Sequence, residues 1–209
     1  MSLPVTAVIP NWKRDEETEK LLSGLDAVTT IVINDTGRDK PIYGRSIAKN
    51  QGLAQVKTPY VWFLDTDVVP PSKDAMERAV NLLDSRPDIG AIGGQIVNGS
   101  CMVESLGLFF LGKCSAQSKG FSMMETECIA TCNLMCRTRD AMLIGGFDPL
   151  LEWGEDKDLC LSLLEMGKRL IILEEFCVLH YFSPKGRMAR LDAVCRFYAD
   201  HLRLWRRHR

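Results

Sequence analysis

Short apolar runs alternate along this chain with amphipathic stretches, and the runs end abruptly in polar or turn-forming residues. Val5-Thr6-Ala7-Val8-Ile9 reads as a buried strand stopped by Pro10. An acidic first turn follows, Asp15-Glu16-Glu17, and Leu21, Leu22 and Leu25 recur at helical spacing. Thr30-Ile31-Val32-Ile33 predicts a second strand, closed by the turn residues Asn34-Asp35-Thr36-Gly37. Strand, helix and strand with short connections predict a βαβ unit and a parallel sheet, whose ligand side is the carboxyl end of its strands. Pro10, Asp35 and Asp65 each stand at such an end.

The third run carries the strongest signal. Tyr60-Val61-Trp62-Phe63-Leu64 is continuously apolar and then meets Asp65-Thr66-Asp67. A carboxylate at the end of a buried strand must be hydrated, paired or bound to a cation. At period two both acids project the same way, so they can converge on one hard cation; a strand capped by solvated turn acids is the plainer alternative. Pro70-Pro71 ends the segment.

Ser46 to Ala54 predicts a helix with Ile47, Ala48 and Leu53 inward, leaving Arg45, Lys49 and Asn50 available to the ligand rim. Ser72 is placed to cap a helix carrying Ala75, Met76, Ala79, Leu82 and Leu83. Ile89 to Val97 and Leu106 to Leu111 read as strands, Gly112 to Glu125 as a mobile loop, and Glu127 to Arg137 as an extended apolar run. Gly145-Gly146-Phe147-Asp148 forms a turn. Trp153-Gly154-Glu155-Asp156 opens a helix with Leu159, Leu163 and Leu164 inward and Gly167 as its C-terminal cap. Two strand-like runs, Leu170 to Leu173 and Phe176 to Leu179, lead to His180. The tail sets Leu191, Val194, Tyr198, Leu202 and Trp205 on one helical stripe among arginines.

Composition narrows the classes. With 209 residues and 46% hydrophobic content the chain suits one domain, here 1–187 with 188–209 as a basic amphipathic helix of the same domain. A net charge of -1 gives no electrostatic case for nucleic acid. No apolar run reaches membrane-spanning length and no signal-peptide pattern opens the chain, so a cytoplasmic protein is expected. Among eight cysteines, Cys128, Cys132, Cys136, Cys160 and Cys177 sit in apolar runs, as buried residues of a reduced protein do. The spacing of Cys128, Cys132 and Cys136 matches no zinc ribbon, and core packing accounts for it better.

Two acidic clusters and one histidine carry the candidate chemistry. His180 after a buried strand can ligate a divalent metal as a neutral imidazole, or can be a core histidine bonded to backbone. Glu155 and Asp156 can complement a helix dipole. Beside the indole of Trp153 they can also hold a sugar, or serve as general base to a hydroxyl.

Taken in order, Val5 to Pro10 with Arg14, Ile31 to Gly37, Ala48-Lys49-Asn50-Gln51-Gly52, Asp65-Thr66-Asp67, Gly145 to Asp148, Gly154-Glu155-Asp156-Lys157-Asp158-Leu159 and His180 resemble a GT-A glycosyltransferase of the family 2 type. The resemblance implies a Rossmann-like three-layer α/β/α fold with a mostly parallel mixed sheet. It implies a metal-dependent inverting transfer from a nucleotide-diphosphate sugar, a UDP-sugar by default, to a sugar hydroxyl in glycan or surface polysaccharide synthesis. Pro10, Arg14, Asp35, Lys49, Asn50, Asp65 and Thr66 would serve the donor, Asp67 and His180 would ligate Mn2+ or Mg2+, and Asp156 would be the base. Trp153, Gly154 and Glu155 would hold a carbohydrate or lipid-linked acceptor. Asn11-Trp12-Lys13 departs from the family's usual residues after Pro10, which leaves the base contacts there open. Lys185 and Arg187 either close over the diphosphate or form a solvated basic turn. The tail stripe packs on the domain, on a second copy in a homodimer, or on an anionic membrane surface at the inner membrane face. A nucleotidyltransferase would need a glycine-rich loop after the first strand, which Pro10-Asn11-Trp12-Lys13 is not. A non-catalytic nucleotide-sugar-binding module of the same fold is the remaining alternative.

Overall fold

A computed structural model describes residues 2–12, 14–34, 44–98, 123–151, 153–181, 200 and 202–208. The elements are β1 (Val5–Asn11), α1 (Asp15–Leu22), β2 (Thr29–Asn34), α2 (Gly44–Leu53), β3 (Tyr60–Leu64), β4 (Val68–Val69), α3 (Lys73–Ser85), β5 (Ile89–Asn98), β6 (Met123–Thr126), β7 (Asn133–Arg137), α4 (Thr138–Leu143), α5 (Glu155–Glu165) and β8 (Arg169–His180). One sheet runs β2-β1-β3-β7-β5-β8-β4, with β6 also on β8. Strands β1, β2, β3, β5 and β8 point the same way, and β7, β4 and β6 run against them.

The continuous apolarity of β1 and β3 follows from cover on both faces. Val5, Ala7, Ile9, Tyr60, Trp62 and Leu64 pack with Leu21 of α1 and with Met76, Ala79 and Leu83 of α3. Val8, Val61 and Phe63 face the other way, onto Leu53 of α2, Ala141 of α4 and Leu159 and Leu163 of α5. The expected three-layer α/β/α architecture is therefore present. Ser72 caps α3 by accepting from the Ala75 N–H, as predicted.

Three expectations are revised. Met123–Thr126, assigned to a loop, is an edge strand that alternates exposed and half-buried residues along β8. Of the run from Glu127 to Arg137, only Asn133–Arg137 is strand, because the chain turns through Thr131 and Cys132 to enter the sheet. The runs from Leu170 and from Phe176 are one strand, β8, continued through a register shift opposite Gly94. A Cβ on Gly94 would fall 1.6 Å from the Phe176 carbonyl oxygen, so this close approach needs glycine. The expected strand at Leu106 to Leu111 lies outside the described residues, as do Lys185 and Arg187. Among the described residues, no helix is long and apolar enough to cross a membrane.

The end of the chain also differs. Residues 202–207 are helical, but Leu204 is the buried residue, while Leu202 and Trp205, expected on the packing stripe, are 58% and 52% exposed. Charge sets this orientation. Arg207 and His208 both reach the fully buried carboxylate of Asp158 on α5, each at 2.9 Å, and so turn the helix with Leu204 inward. Leu191, Val194 and Tyr198 lie outside the described residues. Arg207→Ala leaves Asp158 with His208 as its one charged partner among the described residues and should cost about 1–3 kcal/mol, less than the ~3–5 kcal/mol of a wholly unpaired buried charge. Chemical denaturation reads this, and an unchanged midpoint would refute the anchoring role.

Candidate active site

The carboxyl ends of β1, β2 and β3 form the rim that the sequence predicts. Asn11, at the end of β1, donates to Asn34 Oδ1 at the end of β2 and to Asp15 Oδ1 at the start of α1. Pro10 stands one residue earlier, half-buried and opposite Ile33. Asp35 lies outside the described residues.

Asp65 and Asp67 follow β3 directly, and pairing of β4 with β8 sets Val68 opposite His180. The sheet thereby joins residues more than a hundred positions apart. One ligand atom from each of Asp65, Asp67 and His180 lies within 4.8 Å of the others. His180 Nε2 stands 3.0 Å from Asp67 Oδ1 and 4.0 Å from Asp65 Oδ2, and Arg14 donates to Asp67 Oδ2 at 2.7 Å. Burial alone would raise the Asp67 carboxyl, but the His180 hydrogen bond and charge, with Arg14, outweigh it and hold the group below its ordinary value. Two carboxylates and an imidazole within this reach are a fitting donor set for Mn2+ or Mg2+. Arg14, expected at the nucleoside, is placed on the acidic pair. Thr66 is buried between the two acids.

The second cluster opens α5. Gly154, its N-cap, has φ 76°, and a Cβ there would lie 2.7 Å from Leu204 Cδ1. Glycine is thus favoured by backbone conformation and by contact alike. The Trp153 N–H donates to Asp200 Oδ2 at 3.0 Å, so the two expected acceptor residues, Trp153 and Gly154, sit against the C-terminal helical segment. Asp156 is half-buried, and one of its oxygens accepts from the Lys157 N–H. Burial first, and then the charge of Glu155, push its carboxyl up to about 6, against the opposing pull of Lys49 and Arg45.

Three expected contacts take other partners. Lys49, expected at the donor, is 1% exposed; its ammonium bonds Thr131 and Glu155 and lies 5.2 Å from the centroid of the Phe147 ring. Glu155, expected at the acceptor, is 4% exposed and turned inward onto Lys49. Asn50 spends its amide on the backbone of Phe147, donating to its carbonyl at 2.8 Å and accepting from its N–H at 2.9 Å. Lys49 and Glu155 are thus buried against each other, and Asn50 braces the turn at Phe147.

Cys132 feels the charge of both clusters. On the turn before β7, its thiol is pushed well above the ordinary range by burial, then by Asp65, Asp156 and Asp67, with Lys49 opposing. Cys132 is in the core as its spacing suggested; Thr131 was hidden in the sequence as a member of an apolar run, and a polar residue before a strand was the available signal.

A family model described as Glycosyl transferase family 2 matches residues 36–105. The pre-mycofactocin glycosyltransferase of Mycobacterium tuberculosis is 28% identical over 193 aligned positions, covering 79% of this chain and 40% of that protein. The chain thus spans well under half the length of this relative. Among solved structures, a mannosyltransferase from Pyrobaculum calidifontis in complex with GDP-Man and Mn2+ superposes with a TM-score of 0.70 at 17% identity, over 97% of this chain and 65% of that one. Staphylococcus aureus TarS, residues 1–349, in complex with UDP-GlcNAc gives 0.68 at 16% identity, over 98% and 65%. Together these comparisons show a fold shared with the glycosyltransferase structures over nearly the whole chain, and a match to the family 2 model over residues 36–105.

Proposed function

We propose that this chain carries a metal-dependent inverting glycosyltransferase activity, moving a sugar from a nucleotide-diphosphate sugar, a UDP-sugar foremost, to the hydroxyl of a saccharide acceptor. The observation that carries the reading is the convergence of Asp65, Asp67 and His180 where β3 and β8 end, together with the half-buried Asp156 in the first turn of α5, its carboxyl pushed up to about 6. The GDP-Man and UDP-GlcNAc complexes of the structural neighbours favour a nucleotide-sugar donor and leave the base and sugar to experiment.

Asp67 and His180 would hold the cation, with Asp65 beside it towards the ribose. A bound divalent ion offsets the negative charge that gathers on the departing diphosphate. Its ligand atoms would be Asp67 Oδ1 and His180 Nε2, which already stand 3.0 Å apart, with the imidazole neutral and Nε2 unprotonated. Arg14, on the other oxygen of Asp67, would be placed to meet a phosphate oxygen. On the acceptor side, Asp156 takes the hydroxyl proton onto its carboxylate as that oxygen bonds the anomeric carbon. The bond from that carbon to the phosphate oxygen breaks on the opposite face, so configuration inverts. A carboxyl poised near 6 is ionised at neutral pH and basic enough to accept the proton. Trp153 would flank the acceptor, and Glu155 and Lys49 act from behind.

The test is a thermal-shift series with Mn2+ and a panel of nucleotide sugars. A matched donor at a hundredfold excess over Kd contributes about 2.7 kcal/mol, a rise in Tm of several degrees. If no nucleotide sugar raises Tm with Mn2+ or Mg2+ present, the reading fails.

A further inference from the structure

We infer that Lys49 and Glu155 are positioning residues for Asp156: their buried contact ties α2 to the first turn of α5, fixing the base in place and keeping a negative charge beside it. The inference rests on the transferase reading only in calling Asp156 the base.

The geometry leaves these two side chains no direct part in binding. Lys49 is 1% exposed, and its Nζ is engaged by Glu155 Oε1 at 3.0 Å and by the Thr131 hydroxyl. Glu155 Oε1 also faces Arg45 at 3.6 Å from the outer end of α2. A buried ion pair of this kind offers little or no stability over apolar residues of the same size, so its use is sought in what it does to its neighbours. Glu155 and Asp156 are consecutive at the start of α5, and the αL residue Gly154 gives the turn no side-chain cap. Lys49 supplies the anchor that the cap does not. Thr131 extends the tie to the turn that carries Cys132, so the helix of the base and the segment leading into β7 share one polar node.

The groups acting on Asp156 are its neighbour Glu155 on α5, Lys49 and Arg45 from α2, and the Lys157 N–H bonded to its own oxygen; Cys128 and Cys132 face it from the segment before β7 as neutral thiols. Glu155 raises its carboxyl and both cations lower it. Opposite charges in one tie therefore predict opposite responses.

The experiment is a carboxyl 13C NMR titration of Asp156, assigned with Asp156→Asn and run on the whole chain without ligands. Glu155→Gln should lower the Asp156 midpoint by about one pH unit or more, because Lys49 remains as an unopposed cation. The double variant Lys49→Met/Glu155→Gln should recover most of that fall, and Arg45→Gln, a change at a partly exposed residue, should raise the midpoint. A midpoint that stays put in Glu155→Gln, or a double variant equal to the single, overturns the inference. If the Lys49 variant does not fold, the opposed shifts of Glu155→Gln and Arg45→Gln decide it alone. In parallel, the acid limb of Mn2+-dependent nucleotide-sugar hydrolysis should move with the NMR midpoint. Wild type without any hydrolysis would sink the functional reading while the titration still judges the tie. Hydrolysis whose acid limb ignores the midpoint shows that the tied residue is not the base.

Discussion

Asp67→Asn should abolish Mn2+-dependent turnover of the donor, with a loss of about three orders of magnitude or more. One oxygen of Asp67 faces His180 and the other Arg14, so this carboxylate is the shared anion of the cluster. The isosteric amide keeps the shape and removes the charge. Without it, a divalent ion is left with Asp65 and His180, and the rise in Tm given by Mn2+ with a nucleotide sugar should vanish together with activity. Stability moves as well. Because the folded-state Asp67 carboxyl lies below its ordinary value, its ionisation stabilises the fold above the unfolded-state value, and that contribution is lost as pH falls through the folded one. The variant should accordingly be less stable than wild type at neutral pH and converge with it in strong acid. Turnover within tenfold of wild type would remove Asp67 from the proposed metal site.

Much of this arrangement was legible because strand ends are legible. Tyr60 to Leu64 followed by two acids marks a buried strand emerging at a rim, and β3 ends at Leu64 as that pattern requires. His180 was found through the same logic, at the end of β8. Lys49 and Glu155 were misplaced by a rule that usually holds: charged residues near a ligand rim face the ligand. Their helical positions argued otherwise. Lys49 is four residues before Leu53, and Glu155 four and eight before Leu159 and Leu163, so each shares the inward stripe of its helix. A lysine and a glutamate both on buried stripes are a pair waiting to be matched. What periodicity does not encode is which helices face each other, and that depends on the order of strands in the sheet. Asp158 was hidden for a related reason: its partners Arg207 and His208 sit some fifty residues away, in a tail read for its apolar stripe and not for its charges.

Asp156→Asn should separate binding from chemistry, and at the same time make the protein more stable. Donor binding, read as the rise in Tm with Mn2+ and nucleotide sugar, should persist because the metal-type triad is intact. Transfer to water or to a saccharide should fall by about 10²–10⁴-fold, the range that a positioned general base supplies. In wild type the same activity should decline on the acid side with a midpoint near 6, the value to which burial and Glu155 push this carboxyl from the ordinary 3.8. The stability effect follows from the direction of that shift. A carboxyl raised in the folded state binds its proton more tightly there than in the unfolded chain, so stability declines as pH rises from about 4 through about 6 and stays low above it. An uncharged amide escapes that penalty. At pH 7.5 the variant should exceed wild type by about 1–3 kcal/mol, the conversion of the shift discounted for a half-buried group, and the difference should close below pH 4. A base held ionised against its surroundings is a stored cost that catalysis explains and folding does not. Transfer that survives the substitution would move the base elsewhere. Loss of transfer with no gain in stability at neutral pH would leave Asp156 as the base, but ionised without strain, and the charge environment described for it would be wrong.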